Sequence, residues 1–298
     1  MIDTSLNDYT TSDGTTPVPL PLCPSVSPSP HPSVPPSVRS SVPPSPSPPR
    51  VQLLGTSIDP LRMDQALERI HQWLATPGRC RYVVTPNVDH VVKLQHNAEL
   101  RAAYADADLV LADGWPVVLA SRLLRRGLPQ RVPGSDLVPA LCASAGISKP
   151  LRLFLLGAAP GVAQRAALNI HCRWPAVTVS GTYSPPLGFE HDEQEMEQIL
   201  SRIAEAAPHV LVVGLGAPKQ ELWVHRHRER IAADAALCVG ATIDFLAGEK
   251  RRAPRWLQWL GLEWCHRMLS EPRRLVGRYA RDAWIFPQLV WSEWRGTQ

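Results

Sequence analysis

The chain has 298 residues, 44% of them hydrophobic, and a net charge of +4. That length suits one large or two small domains, and so slight a positive excess argues against nucleic acid as a partner of the whole chain. Six cysteines, at 23, 80, 142, 172, 238 and 265, lie far apart without a Cys-x-x-Cys pair, which argues against a zinc site or a disulfide frame and predicts reduced, packed thiols.

Residues 1–50 carry 14 of the 31 prolines and 11 serines. A segment of that composition buries too little apolar surface to offset its ordering entropy, so a disordered, partly polyproline tail is expected. It lacks the basic start and continuous apolar core of a secretory signal. A Pro-rich ligand for a partner protein is the functional alternative to a solvated tail.

From residue 51 to 246, apolar runs of strand length alternate with stretches of helical period. The runs are "VQLLG" at 51, "RYVVT" at 81, "LVLA" at 109, "LRLFLLG" at 151, "VTVSG" at 177, "HVLVVG" at 209 and "ALCVG" at 236. Segments such as "LRMDQALERIHQWL", "PGVAQRAALNIHCRW" and "DEQEMEQILSRIAEAA" separate them. This pattern predicts an α/β domain, Rossmann-like, with a mostly parallel sheet covered by helices on both faces.

Residues 247–298 differ in character. From 249 onward there are ten Lys and Arg against five Asp and Glu, and six of the chain's ten tryptophans. The sequence "APRWLQWLGLEWCHRMLSEPRRLVGRYARDAW" reads as two helices broken before Pro272. Arg274, Arg278 and Arg281 recur on one face of the second, while Trp256, Trp259, Leu260 and Trp264 give the first an apolar surface. A solvated basic face is the plain reading. Docking on an anionic membrane and clamping a pyrophosphate are the functional ones. The best uncharged apolar run, "AWIFPQLVWS" at 283–292, is about half the ~20 residues of a spanning helix and contains a proline. A cytoplasmic protein, or one attached to a membrane from its surface, is therefore expected.

In open sheets of this kind ligands bind beyond the carboxyl ends of the strands. The stretches that follow those ends are "TPN" at 85, "ADG" at 112, "GAAPG" at 157, "GLGAPKQE" at 214 and "GATID" at 240. Asp113 sits there, either as the N-cap of the next helix or as a reacting acid. "GLGAPKQE" has two of the three glycines of a dinucleotide fingerprint, Lys219 standing in the third place, so it supports NAD only weakly. Gly214, Gly216, Pro218 and Lys219 still suit phosphate at a helix N-terminus, with a plain tight turn as the alternative. Asp244 closes "GATID" at the same rim. "DAD" at 106–108 imitates a metal-binding Asp-x-Asp but precedes its strand, so it reads as a turn, and no metal or other cofactor is expected. His225 and His227 read as surface or packed side chains.

Seven stretches in series, "TPNVDHVV", "ADLVLADGWPVVLASRLL", "RVPGSDL", "LGAAPGVAQRAA", "VVGLGAPKQELW", "GATIDFLAGEKRRAPRW" and "GLEWCHRMLSEPRRLVGRY", resemble the WecG/TagA/CpsF family of bacterial glycosyltransferases over about residues 51–286. The resemblance implies inverting transfer of a sugar from a UDP-sugar to a polyprenyl-pyrophosphate-linked saccharide, without a required metal, at the inner face of the cell membrane. Asp113 matches the family's proposed base. Thr85, Asn87, Arg131 and Gln220 match its other site positions, and Arg267, Arg274 and Arg278 its appendage arginines. Pro116 departs from the pattern, since many members have a second glycine there. The chemistry suits the residues: an inverting transfer needs a base at the acceptor hydroxyl, and departing UDP needs fixed cations or amides. A Rossmann-type NAD(P)-dependent oxidoreductase and a non-catalytic nucleotide-binding scaffold are the alternatives. The donor sugar, the acceptor and a homo-oligomeric state are left open.

Overall fold

The structure, a computed structural model, describes residues 48–76, 78–146, 149–250, 253–254, 268 and 272–296, the last segment as backbone alone over 272–274. The Pro- and Ser-rich head, Arg267, and the tryptophans at 256, 259 and 264 lie outside the described residues.

The first two strands, β1 (Val51–Leu53) and β2 (Thr56–Ile58), form an antiparallel hairpin. "VQLLG" is thus not a strand of the main sheet. Leu54 and Gly55, both at positive φ (50° and 79°), make a two-residue reversal that returns the chain on itself at once. The other six runs form one wholly parallel sheet. These strands are β3 (Arg81–Val84), β4 (Leu109–Val110), β5 (Leu151–Gly157), β6 (Val177–Tyr183), β7 (Val210–Gly214) and β8 (Ala235–Cys238), in the spatial order β4-β3-β8-β7-β5-β6.

Because side chains alternate across a strand, each run feeds two cores. Val83, Leu153, Leu155, Val210, Val212 and Leu237 face α1 (Met63–Ala75), α5 (Gly134–Ser144), α6 (Val162–Arg173) and α9 (Thr242–Leu246). Tyr82, Val84, Phe154, Leu156, Leu211, Val213 and Cys238 face α2 (Val88–His96), α3 (Ala98–Ala105), α4 (Trp115–Leu123), α7 (Glu193–Ala206) and α8 (Lys219–His227). A sheet buried on both sides has no polar face, which is why these runs read as continuous apolar stretches.

The last helix, α10 (Pro272–Gly296), joins the second core through Phe286, with Leu289 and Val290 beside it, and packs against α2. It runs beyond the expected end, through Pro287, which is exposed. No described helix is long and apolar enough to cross a membrane.

Cys80, Cys142 and Cys238 are buried free thiols, the first two pushed up to about 12 chiefly by burial. Cys172, which is disulfide-bonded, corrects the expectation of six reduced cysteines.

Three glycines let the central strands end in contact. A Cβ on Gly157, whose φ is +112°, would lie 2.6 Å from the backbone of Gly214, and one on Gly214 would lie 2.9 Å from the carbonyl of Gly240. Gly157→Ala is therefore expected to cost about 2–5 kcal/mol, combining a strained φ with overpacking against unyielding backbone. Urea unfolding measures it, and a loss under about 1 kcal/mol, the scale of an ordinary Gly→Ala change, would refute the contact.

Candidate active site

Parallel strands bring their carboxyl ends to one rim, and with them most of the expected site. Thr85 follows β3, Asp113 lies three residues beyond β4, Gly214 ends β7 with Gly216 in the turn after it, and Asp244 lies in α9 after β8. The segment carrying Arg131 is drawn in by backbone contacts: the Val132 amide donates to the Ala112 carbonyl at 2.7 Å. Two residues on, Gly134 sits so close to Val239 that a Cβ would lie 2.7 Å from it. Asp113 is half-buried, and its amide donates to the Pro86 carbonyl at 2.8 Å, tying the ends of β3 and β4 together.

The N-cap alternative for Asp113 does not hold. The cap of α4 is Gly114, at φ 106° and ψ 140°, a conformation that suits glycine and supplies no capping side chain. Asp113 stands one residue outside it. Pro218 shifts similarly: it occupies the N-cap of α8, and Lys219 is the first helical residue.

Several expected ligand-facing groups have partners within the protein. Thr85, 5% exposed, donates its hydroxyl to the Cys238 carbonyl at 3.2 Å, so it has only lone pairs left for a ligand. Asn87 caps α2, its Oδ1 accepting from the His90 amide at 3.3 Å. Lys219 is ion-paired with Glu190, whose carboxyl it holds below the usual range. Gly216, in contrast, is exposed at φ +82° with no atom near the position of a Cβ, leaving its backbone open to a close approach.

Gln220 is 2% exposed and acts as a brace. Its Oε1 accepts from the Gly240 amide at 3.1 Å, and its Nε2 donates to Glu221 Oε1 at 2.7 Å. Glu221 is fully buried, and its Oε2 makes no hydrogen bond among the described residues. His90 meets the same carboxylate: Nε2 lies 3.3 Å from Glu221 Oε1, and Nδ1 lies 2.8 Å from Asn87 Oδ1. The chain from Asn87 through His90, Glu221 and Gln220 to Gly240 thus links the loops after β3, β7 and β8. Sequence reading passed over His90 and Glu221, although a Glu beside the Gln of "PKQE" and a His three residues after a cap were visible.

The appendage reaches the rim through Asp89, in the first turn of α2. This buried carboxylate lies 2.7 Å from Lys93 Nζ, 3.1 Å from Arg281 Nη2 and 3.8 Å from Arg278 Nη1. Lys93 also donates to the Ala217 carbonyl at 3.1 Å, in the loop before α8. The basic face expected on α10 thus reaches Asp89 at Arg278 and Arg281, the first part-buried and the second exposed to solvent along much of its length. The side chain of Arg274 and all of Arg267 lie outside the described residues. At the other end of α10, Glu293 pairs with Arg126 and accepts from the Leu54 amide at 2.7 Å.

At the opposite rim, Asp108 accepts from the Tyr82 amide at 3.0 Å and Asp106 pairs with His225 at 2.9 Å, consistent with "DAD" as a turn. Among the described residues no three His, Cys, Asp or Glu side chains are grouped as metal ligands.

A doubly wound parallel sheet that gathers a carboxylate, glycine turns and helix N-termini at one rim is an α/β protein built to hold its ligand there. Comparison with known proteins gives the particular kind: the sequence model of the "Glycosyl transferase WecG/TagA/CpsF family" matches residues 51–298, and the chain belongs to that family. The protein is thus a glycosyltransferase, which sets aside the oxidoreductase and scaffold alternatives. A relative from Bacillus spizizenii, named N-acetylglucosaminyldiphosphoundecaprenol N-acetyl-beta-D-mannosaminyltransferase, is 31% identical over 193 residues, covering 65% of this chain and 72% of its own. A Staphylococcus aureus protein of the same name is 30% identical over 234 residues, covering 77% and 87%.

Asp282 gives the appendage contact a pH dependence. Burial, with Asp89 adding to it, holds this carboxyl above its ordinary range against the opposing bond from Arg281. A raised carboxyl costs nothing while both states are protonated. Stability falls as pH rises from the unfolded value, about 3.9, to the folded one, and the full cost persists above. Asp282→Asn is expected to raise Tm at neutral pH, with the gain vanishing below about pH 4. Equal Tm values for both proteins at neutral pH would show that the charge is compensated.

Proposed function

We propose that the protein transfers a sugar, with inversion, from a UDP-sugar to a polyprenyl-diphosphate-linked saccharide, with Asp113 as base. The observation that carries this reading is the half-buried Asp113 at the end of β4, outside the cap of α4 and tied to the "TPN" turn. In the proposed reaction its carboxylate takes the acceptor hydroxyl's proton as the oxygen attacks the anomeric carbon and the bond to UDP breaks. Charge growing on the diphosphate is met by Arg131, by Lys219 on exchanging Glu190 for phosphate, and by the N-termini of the rim helices. Backbone at Gly216 gives the diphosphate room to approach, and Gly214 lets the strand end close against its neighbours. Asp244, Arg267, Arg274 and Arg278 complete the donor set, and Thr85 and Asn87 shape the floor of the site.

In this reading residues 51–246 hold the donor, and residues 247–298 close the site and meet the membrane. Support for the membrane contact comes from the outer side of α10, where Trp284, Trp291 and Trp294 are exposed and Arg295 stacks on Trp291 at 4.9 Å. Aromatic rings with adjacent cations suit the headgroup region of a bilayer. In this reading the protein is attached at the inner face of the cell membrane, where it meets the lipid-linked acceptor. The reaction in the relatives' name, N-acetylmannosamine onto N-acetylglucosaminyl-diphosphoundecaprenol, is the first to try.

The test incubates the protein with a panel of UDP-sugars and that acceptor and weighs the products. Asp113→Asn is expected to lower transfer by about 10²–10⁴-fold, the usual share of a general base, with UDP affinity unchanged by calorimetry. Undiminished transfer by the variant would remove Asp113 as base.

A further inference from the structure

The described residues expose eight large hydrophobic side chains, and six of them lie on two helices: Leu119 and Leu123 on α4, and Val276, Trp284, Trp291 and Trp294 on α10. Leu168 and Leu187 are isolated, as single surface hydrophobics often are. Helix α4 is divided cleanly. Val117, Val118, Ala120 and Ser121 are buried, whereas Leu119 and Leu123 are 54% and 61% exposed, one helical turn apart. Trp115 and Arg122 share their stripe, the guanidinium lying 5.6 Å from the indole centroid, and Arg125 is exposed just beyond the helix. From Trp115 to Arg126 the chain has no acidic residue.

We infer that this outward face of α4 is a second lipid-bilayer contact, on the catalytic body itself and separate from the appendage. The occupant is the interfacial layer of a membrane bearing anionic lipid: leucines enter the apolar margin, and Arg122 and Arg125 meet the headgroup phosphates. Two features favour a bilayer over a protein. Charge on the stripe has one sign only, and the Arg126–Glu293 pair ties the chain three residues beyond α4 to the end of α10 that carries the exposed Trp291 and Trp294. The position also suits the reaction proposed above, on which the inference rests. Asp113 lies six and ten residues before Leu119 and Leu123, or about 9–15 Å along a helix. A membrane seated on those leucines thus holds the diphosphate of an embedded acceptor near the carboxylate.

The experiment compares the wild-type chain with Leu119→Gln/Leu123→Gln and with Arg122→Gln/Arg125→Gln. Flotation is measured with phosphatidylcholine vesicles, with and without phosphatidylglycerol. Transfer is measured to N-acetylglucosaminyl-diphosphoundecaprenol in those vesicles and to a water-soluble short-chain analogue. The leucine variant is expected to bind vesicles on the order of tenfold more weakly and to lose transfer to the embedded acceptor in step, with transfer to the soluble one unchanged. The arginine variant is expected to lose the preference for phosphatidylglycerol. Vesicle binding equal to wild type in the leucine variant overturns the inference. So does a wild-type dimer in sedimentation that this variant turns into a monomer while vesicle binding stays the same, because the face is then an interface between copies. If no protein transfers sugar to either acceptor, the proposed reaction fails, and the vesicle comparison still decides the membrane contact.

Discussion

Asp89 is the contact on which the arrangement of the rim depends. A carboxylate this deeply buried cannot stand unpaired, and removing partners from such a group costs about 3–5 kcal/mol. Its partners are Lys93, one turn further along α2, and Arg278 and Arg281 on α10. Lys93 extends the contact to the Ala217 carbonyl in the β7–α8 loop. One acid therefore ties three elements together: the helix that follows "TPN", the turn that precedes Lys219, and the appendage. The arginines of α10 reach the rim because a buried negative charge draws them there, at the start of α2 where the helix dipole already favours an acid.

A second buried carboxylate, Glu221, does comparable work beneath the rim. It accepts from Gln220 and faces His90, so the amide of Gln220 is spent on Glu221 and on the Gly240 backbone. Gln220 thereby sets the position of the loop after β8, and Asn87, through His90, the start of α2. Side chains that a motif marks as site residues can act by fixing the backbone of the loops that hold a ligand. The glycine contacts at 157, 214 and 240 work to the same end by letting the strands finish at closest approach.

The sheet was legible because burial on both faces leaves an unbroken apolar run, and six such runs became its six strands. The hairpin at residue 51 was not. Three-residue strands closed by a Leu54–Gly55 turn are too short for an alternating pattern to emerge, and only the glycine marked the reversal. The rim itself was legible from the residues that follow each strand, since parallel direction alone sends Thr85, Asp113, Gly214 and Asp244 to one side. Which way their side chains turn was not. Pairing of Lys219 with Glu190, or of Arg281 with Asp89, joins residues 29 and 192 positions apart and has no local periodicity. Helical spacing put Arg278 and Arg281 on one face of α10, but only the fold shows that both reach Asp89.

With Arg278 and Arg281 held by Asp89, α10 still presents Val276, Trp284, Trp291 and Trp294 to solvent, and α4 presents Leu119 and Leu123. Exposed apolar stripes give no stability to an isolated domain and carry a risk of aggregation, so they need a reason outside the folded body. In a glycosyltransferase whose relatives are named for a diphosphoundecaprenol acceptor, that reason is physical. The reacting end of such an acceptor is polar and its tail is confined to lipid. In the proposed reaction the carboxylate that takes its proton must therefore sit within a short helix of surface the lipid can wet, and Asp113, ahead of α4, meets that condition.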